Sequence, residues 1–304
     1  MKISFDPSLP RDWFERLSFL EEATCPQDIE ILTTDFYRKI TAEVLDTMPN
    51  LRLITQFGVG YDNIDVATCH QRGILVANTP QPVIEPTAEL CMALIFGIAR
   101  RTAELDQAIR ANKVEFGLLR NLGSSLYGKT LGIIGMGNIG RSVARRAIAC
   151  GMTIIYHNRQ PVPVEVLRAC GIDKATYVSQ EELLTTADFV SLNLPYSADV
   201  HHIIGERELK RMKPTAFLIN TARGAHVDEE ALIVALQRGT IAGAALDVYE
   251  HEPRISDGLK TLPNVLLVPH IGTGTWEGRR AMCDAMIDNI IAFVNGEQDK
   301  MTLV

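Results

Sequence analysis

Thr130-Leu-Gly-Ile-Ile-Gly135-Met-Gly137-Asn-Ile-Gly140 joins an apolar strand to a helix through a glycine turn. Leu131 to Ile134 is a short apolar run suited to a buried strand. Beyond the turn, Ile139, Val143, Ala144, Ala147 and Ile148 line one face of a helix that Gly151 closes. In that setting each glycine of the G-x-G-x-x-G has its own job. Gly135 allows the tight turn, Gly137 lets a pyrophosphate approach the backbone, and Gly140 lets helix and strand pack closely. The motif alone is weak; the strand before it and the helix after it make it a dinucleotide-binding signature.

A second glycine motif lies just upstream. Gly123-Ser-Ser-Leu-Tyr-Gly128-Lys129-Thr130 fits the P-loop pattern letter for letter. A P-loop needs a strand before it and a helix after it. Here Glu115 to Leu122 is poor strand material and the next segment is itself the strand. Nucleotide triphosphate hydrolysis is excluded on that context.

Outward from the motif, short β-rich runs alternate with amphipathic stretches, the pattern of parallel sheets covered by helices. Lys2–Phe5, Glu30–Leu32, Leu51–Gln56 and Ile74–Ala77 read as strands, with helices over Asp35–Met48 and Asn63–Arg72. Pro86 opens a long apolar helix through Ala99. A second series of strands follows at Thr130–Ile134, Thr153–Tyr156, Phe189–Asn193, Ala216–Asn220, Gly243–Leu246 and Val265–Val268. Ser179 and Glu182 form a capping box, and a last helix runs from Trp276 to Val294 before Asn295-Gly296. At 304 residues the chain has room for two domains. The fold class is α/β, with two doubly wound parallel-sheet domains.

Composition narrows the function. The net charge is 30 − 37 = −7 with no basic cluster, which argues against nucleic acid and anionic membrane as partners. The longest apolar run, Leu90–Ala99, is half of a membrane span. Met1 to Leu17 lacks an apolar signal core, and the six cysteines (25, 69, 91, 150, 170, 283) show no metal-ligand spacing. A cytoplasmic protein with free thiols and no metal is expected.

The strand after the glycine turn selects the dinucleotide. Sites that prefer NAD end this strand in an acid that bonds the ribose hydroxyls. Here Thr153–Tyr156 runs into His157-Asn158-Arg159, with no acid. Asn158 tolerates the extra phosphate of NADP and Arg159 can pair with it. NADP is the expected cofactor, with NAD as the alternative.

Three later strands end in polar signatures, where ligands of a doubly wound sheet bind. They are Asn220-Thr221-Ala222-Arg223-Gly224, Asp247-Val-Tyr-Glu250-His251-Glu252-Pro253 and Pro269-His270-Ile271-Gly272. With these and the glycine turn, the chain resembles the D-isomer-specific 2-hydroxyacid dehydrogenases over nearly its whole length, and most of all their glyoxylate and hydroxypyruvate reductases.

The resemblance implies a flavodoxin-like, discontinuous substrate domain over 1–99, a Rossmann dinucleotide-binding domain over 100–274, and a terminal helix within 275–304 that returns to the first domain. It implies Arg223, Glu252 and His270 as the catalytic arginine, glutamate and histidine. It places Gly58, Val59 and Gly60 on the substrate carboxylate through their amides. Around the cofactor it sets Gly135, Gly137, Asn138, Ile139, Gly140, Asn158, Arg159, Pro195, Thr221, Ala222, Asp247 and Gly272. A homodimer is expected, through the segment after Arg101. His226 stands where many relatives carry a small or apolar residue.

These residue types suit reduction of a small 2-keto acid. Histidine can donate a proton near neutral pH, and a glutamate beside it favours the imidazolium. An arginine can orient the carboxylate and polarise the keto oxygen. Glu250 could be taken for the acid, but the resemblance places the functional one directly before the proline. His251 and the pair His201-His202 have no strand-end partner pattern and read as surface or structural residues. A phosphoglycerate-type dehydrogenase is the alternative within the same chemistry, disfavoured because the chain ends at Val304 without a regulatory domain. A dinucleotide-sensing binding protein of the same fold is the alternative outside it.

Overall fold

The computed structural model describes all residues from Met1 to Val304, which divide into two compact units. Met1–Pro86 with Thr273–Val304 forms one, and Thr87–Gly272 the other. Twelve strands, all in parallel pairs, make one sheet in each.

In the first unit the strands are β1 (Lys2–Ser4), β2 (Glu21–Glu22), β3 (Ile31–Thr34), β4 (Leu53–Gln56) and β5 (Leu75–Ala77), in the order β2-β1-β3-β4-β5. Every residue of β3 and β4 is buried, as central strands covered on both faces must be. β2 is an exposed edge of two glutamates, with no apolar signal in the sequence. The helix expected over Asp35–Met48 is confined to Ala42–Asp46. Asp35 Oδ1 accepts the amides of Tyr37 and Arg38, and this side-chain turn replaces the helical bonds. Likewise Asn63–Arg72 shortens to a helix over Val66–Gln71, with Asp65 capping its start through the Thr68 amide.

The C-terminal segment completes this unit. The helix Trp276–Val294 begins at Thr275, whose hydroxyl accepts from the Gly278 amide, and buries Met282, Met286, Ile287 and Ile290. Buried Asn289 donates to the Asn78 carbonyl and accepts from the Thr302 amide. The Val304 amide then donates to the Val76 carbonyl on the open edge of β5, at 2.9 Å.

In the second unit the strands are β6 (Thr130–Ile134), β7 (Thr153–His157), β8 (Thr176–Tyr177), β9 (Phe189–Leu192), β10 (Phe217–Asn220), β11 (Gly243–Leu246) and β12 (Val265–Leu267). Their order is β12-β11-β10-β9-β6-β7-β8, so the direction of winding reverses between β6 and β9. A crevice for ligands is expected at such a switch point. Strand β7 is one residue longer than the sequence suggests, and β8 is a second exposed edge strand of two residues. The chain divides at Pro86/Thr87 and Gly272/Thr273, whereas the resemblance implies divisions after Ala99 and Gly274. The helix Ile84–Ala99 explains the first difference: its Cys91, Leu94, Ile95 and Ile98 share one core with Leu131, Ile133 and Phe189 of the second sheet. No helix is long and apolar enough to cross a membrane.

Candidate active site

The glycine turn has the geometry its sequence requires. Gly135 sits at φ +99°, and a Cβ there would come within 2.7 Å of the Asn193 backbone. A Cβ on Gly140 would collide with the Gly135 carbonyl, so helix and strand pack at backbone contact. Around Gly137 there is nothing within 4 Å of the Cβ position. That open space lies at the N-terminus of the helix Asn138–Ala149, where free amides and the helix dipole favour an anion. These residues fit a dinucleotide pyrophosphate. The rival motif has no such geometry, because Lys129 and Thr130 lead into β6 and no helix follows.

Asn158 directly follows β7, and its side chain supports the turn. Its Oδ1 accepts the Met136 amide at 2.7 Å, which leaves the amide NH2 with no protein partner. Arg159 is exposed and makes no ion pair. His157 Nδ1 lies 2.9 Å from the Val178 carbonyl, and its ring stacks on Tyr177. Pro195 is exposed in the loop after β9.

The three polar signatures meet at the carboxyl ends of β10, β11 and β12. Register pairs Asn220 with Leu246, and Leu246 with Leu267, so the segments that follow start side by side. Asn220 fixes the first of them: Nδ2 donates to the Arg223 carbonyl and Oδ1 accepts the Ala222 amide. Arg223 is extended at φ −142°, half-buried, and its Nη1 donates to the Ala222 carbonyl at 2.9 Å. Thr221 beside it is buried.

Glu252 and His270 form a pair, Oε2 to Nδ1, at 2.8 Å, each side chain 19% exposed. The Tyr249 amide holds the other oxygen of Glu252 at 2.9 Å. His270 occupies the left-handed region at φ +53°, an uncommon place for a residue with a β-carbon. Asp247 imposes that conformation. Its backbone carbonyl accepts the His270 amide, and its carboxylate accepts those of Ile271 at 2.6 Å and Gly272 at 2.8 Å. Burial pushes the Asp247 carboxyl up to about 6, and the two amide bonds and His270 oppose the rise. Tyr249, whose hydroxyl donates to the Val268 carbonyl, is also pushed up by burial.

In the first unit, the loop after β4 differs from expectation in one respect. The Gly58 amide is occupied, donating to Thr79 Oγ1 at 3.0 Å. The Val59 and Gly60 amides have no protein acceptor. Their carbonyls are held, by Asn78 Nδ2 at 2.9 Å and Gln56 Nε2 at 3.1 Å. Gln56, Asn78 and Thr79 therefore set the loop so that two amides stay available. Sequence reasoning missed them because they act on backbone atoms up to 21 residues away.

His202, read as surface or structural, and Glu250, passed over as the acid in favour of Glu252, form a pair at 2.6 Å. His226 is buried, its ring 6.0 Å from that of Tyr196.

Comparison with known proteins agrees with this geometry. The NAD binding domain of D-isomer specific 2-hydroxyacid dehydrogenases matches residues 92–272. A glyoxylate reductase of Thermococcus litoralis is 47% identical over 276 residues, covering 89% of this chain and 82% of the relative. An NADPH-dependent glyoxylate/hydroxypyruvate reductase of Sinorhizobium meliloti, solved with NADP and malonate, superposes with a TM-score of 0.86 at 32% identity, covering 96% of this chain and 93% of that one. A D-lactate dehydrogenase of Aquifex aeolicus, solved with NAD and lactic acid, gives 0.89 at 30% identity, covering 100% and 99%. With the glycine turn, the Glu252–His270 pair and these relatives in agreement, the chain belongs to the D-isomer specific 2-hydroxyacid dehydrogenases, oxidoreductases that use a nicotinamide dinucleotide.

Proposed function

We propose that the chain reduces glyoxylate and hydroxypyruvate to their 2-hydroxy acids, with NADPH preferred to NADH, as a cytoplasmic homodimer. The observation that carries the chemistry is the Glu252–His270 pair at 2.8 Å beside the Arg223 segment. The choice among 2-keto acids is supported by the similarity to glyoxylate reductases.

When bound, the dinucleotide supplies the hydride. Gly135, Gly137, Asn138, Ile139 and Gly140 hold its pyrophosphate, and Pro195, Thr221, Ala222, Asp247 and Gly272 line the rest of its site. Because Glu252 occupies Nδ1 of His270, the proton is delivered from Nε2 to the keto oxygen of the substrate. Glu252 stabilises the imidazolium until that transfer. Arg223 orients the substrate and offsets the negative charge that grows on the same oxygen. The Val59 and Gly60 amides, with no protein acceptor, are suited to receive a carboxylate.

Asn158 and Arg159 support the preference for NADPH. With Oδ1 of Asn158 committed to Met136, the part of its side chain left for a ligand is the NH2 group, a donor. A 2′-phosphate needs donors, and a neighbouring acid would repel it. The dimer is supported by an exposed apolar segment after Arg101, where Phe116 is 91%, Leu118 95% and Leu119 80% exposed. Six free cysteines suit a reducing compartment.

A panel of 2-keto acids, each with NADH and NADPH, tests the reading. Glyoxylate and hydroxypyruvate with NADPH should give the largest kcat/KM. No turnover with either would overturn the assignment, whatever the behaviour of other acids.

A further inference from the structure

Three side chains with metal-ligating atoms, none used in the chemistry above, converge in the second unit. His201, His202 and Glu250 each present a ligand atom within 4.8 Å of the other two. Backbone conformation brings the histidines together. His202 is left-handed at φ +49°, and the consecutive imidazoles stack with centroids 4.0 Å apart. The His202 amide is anchored to the Ala225 carbonyl at 2.9 Å, so this arrangement is part of the fold. Glu250 comes from the segment after β11, 48 residues away, and its Oε1 lies 2.6 Å from His202 Nε2.

Local charge favours a cation there. Glu250 and Glu229 bind each other's backbones: the Glu250 amide donates to Glu229 Oε1 at 2.6 Å, and the Glu229 amide to Glu250 Oε2 at 3.5 Å. Two carboxylates are thereby fixed close together, Glu229 being buried. His202 is the single basic side chain paired with either of them. Such a pair is stabilised by a nearby positive charge that does not depend on imidazole protonation.

We propose that His201, His202 and Glu250 bind one divalent ion of the zinc class. Two imidazole nitrogens and one carboxylate oxygen suit zinc, cobalt or nickel, whereas magnesium and calcium prefer oxygen ligands alone. Bonds of about 2.0–2.1 Å in a tetrahedron set neighbouring ligand atoms about 3.3 Å apart. His202 and Glu250 open slightly to reach that spacing, and His201 closes on them. His201 is exposed, so solvent leaves room for this small movement. Its Nδ1 lies 3.4 Å from the Tyr196 hydroxyl, a contact that directs Nε2 to the ion. Water completes the four ligands. Sequence spacing cannot show the site, because the third ligand reaches it only through the sheet.

Isothermal titration of tag-free, chelator-treated protein with zinc, and with magnesium as control, tests the proposal. Wild type should bind one zinc, and His201→Ala and Glu250→Gln should each weaken it at least about tenfold, with no magnesium bound. His201→Ala is an exposed change that leaves the fold and the basal activity intact, so its result is not confounded by misfolding. With cobalt, the bound ion should show a tetrahedral spectrum without a thiolate charge-transfer band, which separates the site from the cysteines. No saturable zinc binding, undiminished affinity in His201→Ala, or a thiolate band would each overturn the proposal.

Discussion

Gly224 stands between Arg223 and the turn that carries Glu252, and alanine at this position should disable both. A Cβ built on Gly224 falls well inside 3.0 Å of the Tyr249 carbonyl carbon and oxygen and of the Glu250 nitrogen, all backbone atoms. Carbon contacts are comfortable only from about 3.5 Å, so the two segments must separate by more than about 1 Å, roughly 1.5 Å. No flexible side chain is available to absorb the movement. The Tyr249 amide holds Glu252, and Glu252 holds His270, so the displacement reaches the proton donor through two bonds of 2.9 and 2.8 Å. Overpacking of this kind costs about 1–3 kcal/mol of stability, and a misplacement near 1 Å costs about 10²-fold in rate. Gly224→Ala should therefore lower kcat/KM for glyoxylate by about 10²-fold, about 2.7 kcal/mol of barrier. Its Tm should fall by about 2–4 °C for each kcal/mol lost. NADPH affinity, measured by fluorescence titration, should change little. A variant with wild-type kcat/KM and Tm would refute the claim that backbone contact at Gly224 sets the site.

Three further outcomes follow from other parts of the structure. Gly137→Ala meets no neighbour within 4 Å, so it should leave Tm unchanged while weakening NADPH binding, because the methyl group takes the pyrophosphate's place; unchanged affinity by titration would contradict this. Asn158→Asp retains an acceptor for the Met136 amide but adds a charge, so the ratio of kcat/KM for NADPH over NADH should fall by about tenfold, about 1.4 kcal/mol, and an unchanged ratio would place the 2′-phosphate elsewhere. Asp247, with its folded value near 6 above an ordinary 3.8, favours the fold fully below pH 3.8 and loses that contribution as pH rises through 6. Wild type should therefore gain up to roughly 3 kcal/mol relative to Asp247→Asn on acidification from about pH 7 to about pH 4; denaturation curves whose difference is constant with pH would show that Asp247 does not titrate there.

The sequence showed most where a residue's role is local and steric. The glycine turn is legible because Gly135, Gly137 and Gly140 face three different constraints within six residues; the structure shows the tight turn at Gly135 and the backbone contact at Gly140, and open space at Gly137. The helix Trp276–Val294 is legible from its apolar pattern and from Asn295-Gly296 after it. Asp35–Met48 misleads because its helical pattern competes with a side-chain turn, and Asp35 caps the Tyr37 and Arg38 amides instead. Strands β2 and β8, two polar edge residues each, carry no apolar alternation to find. At the site, strand-end motifs bring Arg223, Glu252 and His270 into view, but the supports do not announce themselves. Asn78, Gln56 and Thr79 act through backbone bonds that only the folded chain creates. The left-handed His270, held by Asp247, is likewise a product of tertiary structure.

The most direct test of the account compares glyoxylate reduction by wild type and His270→Asn, with NADPH affinity measured on both. Loss of the proton donor should lower kcat/KM by about 10²–10⁴-fold, with cofactor binding nearly unchanged. Turnover in the variant equal to that of wild type would contradict the assignment of His270, and with it the role given to its pairing with Glu252.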